Sequence, residues 1–377
     1  DGIRDKLVTG VQTCALPILR RSSTRSPTSH CRILFPARPA PSRSVRRLHP
    51  TRRAPGSSVR LLCLLVVSGA FAQVPDFTTD QQIKLYQEWV AQDASAPNRV
   101  LLASAYVQKT RETTDFTYLE RATKALEGVE SSDAARLRNI VALTMHRFRS
   151  AADGARALVA KNPNDVQSWG TLGDAALEMG RYQDARDAFA TMLTLKPGLA
   201  SYNRMGFYRF LTGDVEGGIG MMQEAVKSSA KHPENLAWCL TELGHMYRKV
   251  GHQGAAADAY RDAIAAFPTA HAAFAGLAAV DVELGKLDEA IEFYKKAQAI
   301  TPMVQYAGEL YSLYTQRGDQ KAARVQAALI DAQDQLEMAS GQSANRTLAL
   351  ILADQNRKLD RALELATADL ALRQDVY

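Results

Sequence analysis

Between residues 163 and 330, apolar residues recur at spacings of three and four, and single glycines interrupt them at regular points. This pattern predicts short helices in pairs and no strands. The interrupting glycines are Gly180, Gly213, Gly251, Gly285 and Gly318, separated by 33, 38, 34 and 33 residues. Five positions after each stands Ala185, Gly218, Ala256, Ala290 or Ala323, and four beyond that Phe189, Met222, Tyr260, Tyr294 or Ala327. Seven before each glycine lies Gly173, Gly206, Gly244, Ala278 or Tyr311, preceded by Leu172, Met205, Leu243, Leu277 or Leu310. Pro197, Pro268 and Pro302 close three of the units.

Each feature has a physical cause. A glycine between two apolar-striped helices accepts a positive φ without a Cβ penalty and so permits a tight turn. The small residue in the second helix lets its partner approach, and proline stops a helix because it lacks the amide hydrogen. A pair this short cannot bury its apolar face alone, so successive pairs must stack. The expectation is an all-α, right-handed superhelical solenoid of antiparallel helix pairs.

The placement of Trp169, Leu172, Gly173, Ala176, Gly180, Tyr182, Ala185, Phe189 and Pro197 resembles the tetratricopeptide repeat signature. Ala176 stands where tyrosine is more usual, whereas the unit at 236–268 supplies Tyr247 there. The unit at 200–232 departs further, with Gly217, Gly218 and Gly220 in its second helix, each costing about 1 kcal/mol against alanine unless close packing compensates. This GGIG string is not a phosphate loop, because no Gly-Lys-Ser/Thr follows it.

Outside 163–330 the resemblance weakens. Residues 73–162 read as divergent N-terminal helical repeats, and 331–377 as a further helix pair in which Ala362 and Ala366 are the small residues. The segment ends on ALRQDVY without a polar capping helix, so more repeats are expected to follow it.

Charge changes the picture only at the head. The net charge of +6 hides a head, residues 1–72, with 13 basic residues against Asp1 and Asp5, and a remainder of 33 basic against 38 acidic. A basic nucleic-acid surface is therefore not expected on the repeats. Residues 1–55 lack helix or strand periodicity, resemble translated adapter sequence, and are assigned to a disordered or artefactual head. Residues 56–72 combine Arg60, the apolar run Leu61–Val67 and the small-x-small site Ala70-Phe71-Ala72, the outline of a signal peptide. An exported protein, periplasmic or extracellular and without stable membrane insertion after cleavage, is the expectation. Cys14, Cys31 and Cys63 precede that site, so Cys239 alone remains, expected as a buried thiol.

Catalytic constellations are missing from the pattern. No His-Glu-x-x-His, Cys-x-x-Cys-His or nucleophile-elbow motif occurs, and neither a metal nor a cofactor is expected. Acidic pairs such as Asp174 with Glu178, or Asp288 with Glu289, read as solvated helix charges. The chain is read as non-enzymatic.

The resemblance implies instead that first helices line a concave face that binds peptide or protein partners. Its candidate residues are Asp174, with Gln167, Gly170 and Leu177; Asn203, Phe207 and Phe210; and Trp238, Thr241, His245 and Arg248. Later units contribute Ala275, Ala279 and Val282, then Gln305, Gly308, Ser312 and Thr315. Aromatic anchors beside polar groups suit recognition, while an aromatic at helical spacing equally fits core packing. Arg204 is a partner for Asp174 or Asp214. Two other readings stand beside the scaffold: a structural or assembly component of the cell envelope, and the helical region of an enzyme whose catalytic domain lies elsewhere.

Overall fold

The computed structural model describes residues 77–229, 233–339 and 345–373. The proposed head, the signal-like segment and Cys14, Cys31 and Cys63 lie outside them. Every regular element among the described residues is an α-helix. In chain order they are α1 (Thr79–Gln92), α2 (Ala96–Thr113), α3 (Thr117–Ala125), α4 (Ser132–Thr144), α5 (Phe148–Lys161), α6 (Val166–Glu178), α7 (Tyr182–Leu195), α8 (Leu199–Leu211) and α9 (Val215–Ser229). They continue with α10 (Pro233–Lys249), α11 (Gln253–Ala266), α12 (His271–Glu283), α13 (Leu287–Ile300), α14 (Val304–Arg317), α15 (Gln320–Ala339), α16 (Arg346–Asp354) and α17 (Leu359–Leu372).

From α2 onward, consecutive helices form eight hairpins, and each hairpin turn contains a residue at positive φ. Gly180, Gly213, Gly251, Gly285 and Gly318 take φ between 70° and 98° at five of them. At the other three it is Thr114 (56°), His146 (57°), or Asn356 (50°) together with Lys358 (44°). The glycine turns are thus one geometry that the chain also makes without glycine. An additional helix, α1, begins with its own Thr78–Gln81 capping box and is tied to α2 of the first hairpin by Lys109 on Asp80 at 2.7 Å.

Stacking follows from the small residues. Inner helices touch their successors: α2 meets α4, α4 meets α6, α6 meets α8, α10 meets α12, and α14 meets α16. Gly173 leaves room for Phe189, whose ring would lie 2.3 Å from an added Cβ. In the glycine-rich unit, an added Cβ on Gly218 would come within 2.8 Å of the Gly206 carbonyl oxygen, so the two helices meet backbone to backbone. Gly217 receives the Asp214 cap at 3.0 Å, whereas Gly220 faces open space and nothing in the structure explains it.

The core is a string of local apolar clusters, as expected when each pair contacts chiefly its neighbours. Leu143, Phe148 and Ala175 join the second pair to the third; Phe189 and Met205 the third to the fourth; Met222, Cys239 and Leu243 the fourth to the fifth. Tyr260 and Leu277, then Tyr294 and Leu310, carry the string onward. Cys239 is fully buried, and burial pushes its thiol up to about 12, beyond ordinary reactivity.

Candidate functional site

Arginine–carboxylate ties run between successive inner helices. Arg136 of α4 reaches Asp165, the N-cap of α6, at 2.8 Å; Arg204 of α8 grips Asp174 of α6; Arg248 of α10 holds Glu283 of α12 at 2.6 Å. These ties line the stripe of inner-helix positions proposed from sequence. Of the two partners considered for Arg204, it takes Asp174, and Arg209 takes Asp214 at 3.1 Å. The reading of Asp174 and Glu178 as solvated charges is overturned: both are buried, and Glu178 pairs with Arg373 at 3.0 Å. Helix periodicity placed them on one face but could not show that distant arginines would come to cover it.

The aromatic residues serve packing and surface together. Phe207, Phe210 and Trp238 are all half-buried and pack on one cluster around Met222, Cys239, Leu243 and Met246. Lys249 Nζ lies 5.9 Å from the Phe210 ring centroid. Thr241 is buried, and its hydroxyl donates to the Ala237 carbonyl at 2.7 Å, within its own helix. Gly170 and Gly308 face the next inner helix: added Cβ atoms would meet Arg204 at 3.3 Å and Ile351 at 2.9 Å.

Polar satisfaction along the stripe is incomplete. Asn203 is 1% exposed, and neither its amide oxygen nor its nitrogen has a hydrogen-bond partner. Trp238 Nε1, Arg248 Nε and Gln305 Oε1 are likewise buried atoms without a partner. Such orphans are uncommon because burying an unpaired polar group costs about 1–3 kcal/mol. All four lie at positions that the repeat register assigned to the concave face.

Titratable groups here are shifted by burial. His245 places Nδ1 2.7 Å from the Tyr260 hydroxyl, and burial, aided by Arg248 and Lys249, pushes its imidazole down to about 3. Burial lifts Glu242 to about 7, against the pull of Lys249. Glu242, Glu283 and Arg373 escaped the sequence reading, whereas Glu178 was noted four residues after Asp174 but read as a solvated charge. No three His, Cys, Asp or Glu side chains converge as a metal site among the described residues.

Both flanks of the solenoid return to this stripe. Arg111 and Gln108 on α2 reach Glu234 at the start of α10, at 2.7 and 3.1 Å. Beyond α17, Arg373 meets Glu178 on α6 and stands 5.2 Å from the Phe148 ring centroid. The stripe is therefore partly covered by the chain itself.

This geometry defines a helical-hairpin solenoid with a polar-and-aromatic inner stripe. The tetratricopeptide repeat family model matches two stretches of it, residues 140–200 and 241–302. The cellulose synthase 2 operon protein C of Komagataeibacter xylinus is 26% identical over an alignment of 239 residues that covers 59% of this chain and 17% of that protein. The match thus takes in about a sixth of that relative's length. Among solved structures, the Cut9–Hcn1 hetero-tetramer of APC/C aligns with a TM-score of 0.50 at 16% identity, covering 62% of this chain and 46% of that one. PilW, a type IV pilus biogenesis factor, aligns with a TM-score of 0.45 at 19% identity over 59% of this chain and 98% of that one. Among the described residues no helix is long and apolar enough to cross a membrane.

Proposed function

We propose that the chain is a non-catalytic scaffold that binds peptide or protein partners through the concave face of its repeats. One observation carries the reading: Asn203, Trp238, Arg248 and Gln305 bring buried, unpartnered polar atoms to the inner stripe. An extended peptide backbone supplies both donors and acceptors, and so matches an amide with both ends unpaired. Phe207, Phe210 and Trp238 add half-buried apolar surface beside them. Asp174, Thr241 and His245 shape the stripe, since their polar atoms already have partners within the protein. Export rests on the signal-like segment at 56–72, with a periplasmic or extracellular destination. The domain limits at 73, 163 and 331 belong to the same proposal.

The test is a peptide array read with the full chain, followed by calorimetry of the peptides retained. Asn203→Leu and Trp238→Phe remove the unpartnered groups while keeping bulk. At least tenfold weaker binding with unchanged circular dichroism is expected. Equal affinity in both variants would move recognition to another face.

A second reading, a structural or assembly component of the cell envelope, draws on the same signal-like segment and on the likeness to a cellulose synthase operon protein. It places the contacts on the outer helices, and the same Asn203→Leu and Trp238→Phe variants would then retain their partner.

A further inference from the structure

Arg373 occupies an unusual place for the residue after a helix end. Its side chain is 6% exposed, Nη1 lies 3.0 Å from Glu178 Oε2 on α6, and the guanidinium carbon stands 5.2 Å from the Phe148 ring centroid. Phe148 is buried in the cluster of Leu143, Ala151, Ala152 and Ala175, so the aromatic platform is rigid. His146, at the α4–α5 turn, stacks on Phe148 with ring centroids 5.5 Å apart. Burial, then the Arg373 charge, pushes that imidazole down to about 4, so it is neutral at pH 7 and does not repel a cation.

The floor of this site is built by α5 and α6, and its occupant arrives from a helix nearly two hundred residues later in the chain. Glu178 and Asp174 are four apart on α6, which puts the site on the inner stripe. A buried carboxylate beside an aromatic face is the chemistry that recognises a guanidinium in preference to an ammonium, because the planar fork both pairs and stacks. Occupancy by Arg373 is imperfect: its Nε makes no hydrogen bond, and the nearest carboxylate oxygen, on Asp369, is 3.4 Å away. Leu372 beside it is exposed, so no apolar anchor fastens the residue next to it.

Resting on the concave-face reading above, we infer that Glu178 and Phe148 form an arginine-binding subsite of the inner stripe, filled in cis by Arg373, for which an arginine side chain of a peptide partner competes. The cis residue acts as a placeholder. It keeps a buried carboxylate paired until a partner arginine displaces it, and it lowers apparent affinity by the fraction of time it is seated.

The experiment uses the full chain and the probe acetyl-Gly-Arg-Gly-amide, with acetyl-Gly-Lys-Gly-amide as control, titrated by calorimetry. Arg373→Ala is expected to bind the arginine peptide at least tenfold tighter than the parent and to prefer it over the lysine peptide. Adding Glu178→Gln to Arg373→Ala is expected to abolish that gain. A folded Arg373→Ala protein that binds no tighter than the parent overturns the inference, as does a gain that survives Glu178→Gln. Arg373→Met retains an aliphatic stem for Phe148 without the charge. If both single variants lose their helical circular dichroism, the pair is structural and the inference also fails. Array-peptide binding by Arg373→Ala, compared with Asn203→Leu, separates failure of this subsite from failure of the concave-face reading.

Discussion

Arg204 on α8 closes on Asp174 of α6 through three nitrogen–oxygen contacts of 2.9–3.0 Å, passing over Gly170, where any side chain would crowd its Nε. Burial pushes the Asp174 carboxyl up, and the guanidinium opposes that shift. Removing one partner strands the other charge, so Asp174→Ala is expected to cost about 3–5 kcal/mol in urea denaturation at pH 7. The double change Asp174→Leu with Arg204→Met leaves no stranded charge and should recover at least half of the loss. A double variant as unstable as the single would show that the loss comes from packing alone.

The turn residues separate two glycine roles by sign. Gly251 has φ 81° and open space around its Cα, so Gly251→Ala suffers only from its backbone, by about 1–2 kcal/mol. Gly254, three residues on within α11, also faces open space but is helical, and Gly254→Ala is expected to stabilise by about 0.5–1 kcal/mol. Thr114, a β-branched residue at φ 56°, should gain about 1 kcal/mol on replacement by glycine. Thermal unfolding of the three variants checks the signs; a stabilised Gly251→Ala would remove the turn argument.

That distinction also explains what could be read from sequence. The five glycine turns announced their hairpins, because glycine is the residue that the geometry favours. The hairpin at His146 repeats the Gly180 geometry 34 residues earlier, at φ 57° against 70°, yet its residue carries no such signal. Its small-large pairing is also inverted. Gly154 on the second helix makes room for Asn139 on the first, where the next unit sets Gly173 against Phe189. The inner stripe was legible as a set of register positions, and the contacts that cover it were not. Arg373 on Glu178 and Arg111 on Glu234 join residues more than a hundred positions apart, and nothing in a local period encodes such a meeting.

Acid should loosen the solenoid through its histidines. His245, His146 and His271 are pushed by burial to about 3, 4 and 4, against 6.5 for a free imidazole. Below that ordinary value the unfolded chain takes up protons that the folded one refuses, so their stabilisation is full above about pH 6.5 and declines toward pH 4. Glu242 acts in the opposite sense. Its folded value of about 7 exceeds the ordinary 4.5, so its contribution is full below pH 4.5 and is lost as pH rises through 7. Glu242→Gln is therefore expected to exceed the parent in stability at pH 8 by roughly 1–3 kcal/mol and to match it at pH 4.5. Urea midpoints at pH 4.5, 6.5 and 8 measure both trends, and an unchanged difference between parent and variant across that range would contradict the assignment.

Tyr260 joins two neighbouring pairs from a single buried position. Its ring lies where Cβ atoms on Gly244 of α10 and Gly276 of α12 would stand, 2.5 and 2.4 Å from the ring edge, while its hydroxyl meets His245. Gly276→Ala must push that ring aside, at a cost of about 1–3 kcal/mol. In a Tyr260→Leu background the obstacle is gone, and the same alanine should cost less than about 1 kcal/mol, a coupling that a double-mutant cycle reads directly. Tyr260→Phe keeps the ring and removes the partner of a buried imidazole nitrogen, for a loss of about 1–2 kcal/mol. Because each pair is stabilised chiefly by its neighbours, the weakening should appear in amide exchange as earlier opening of α10 through α12, with α2 through α6 unchanged. Uniform loss of protection along the whole chain would mean that the pairs unfold as one unit, and that the ties between inner helices, not Tyr260 alone, set the stability of each interface.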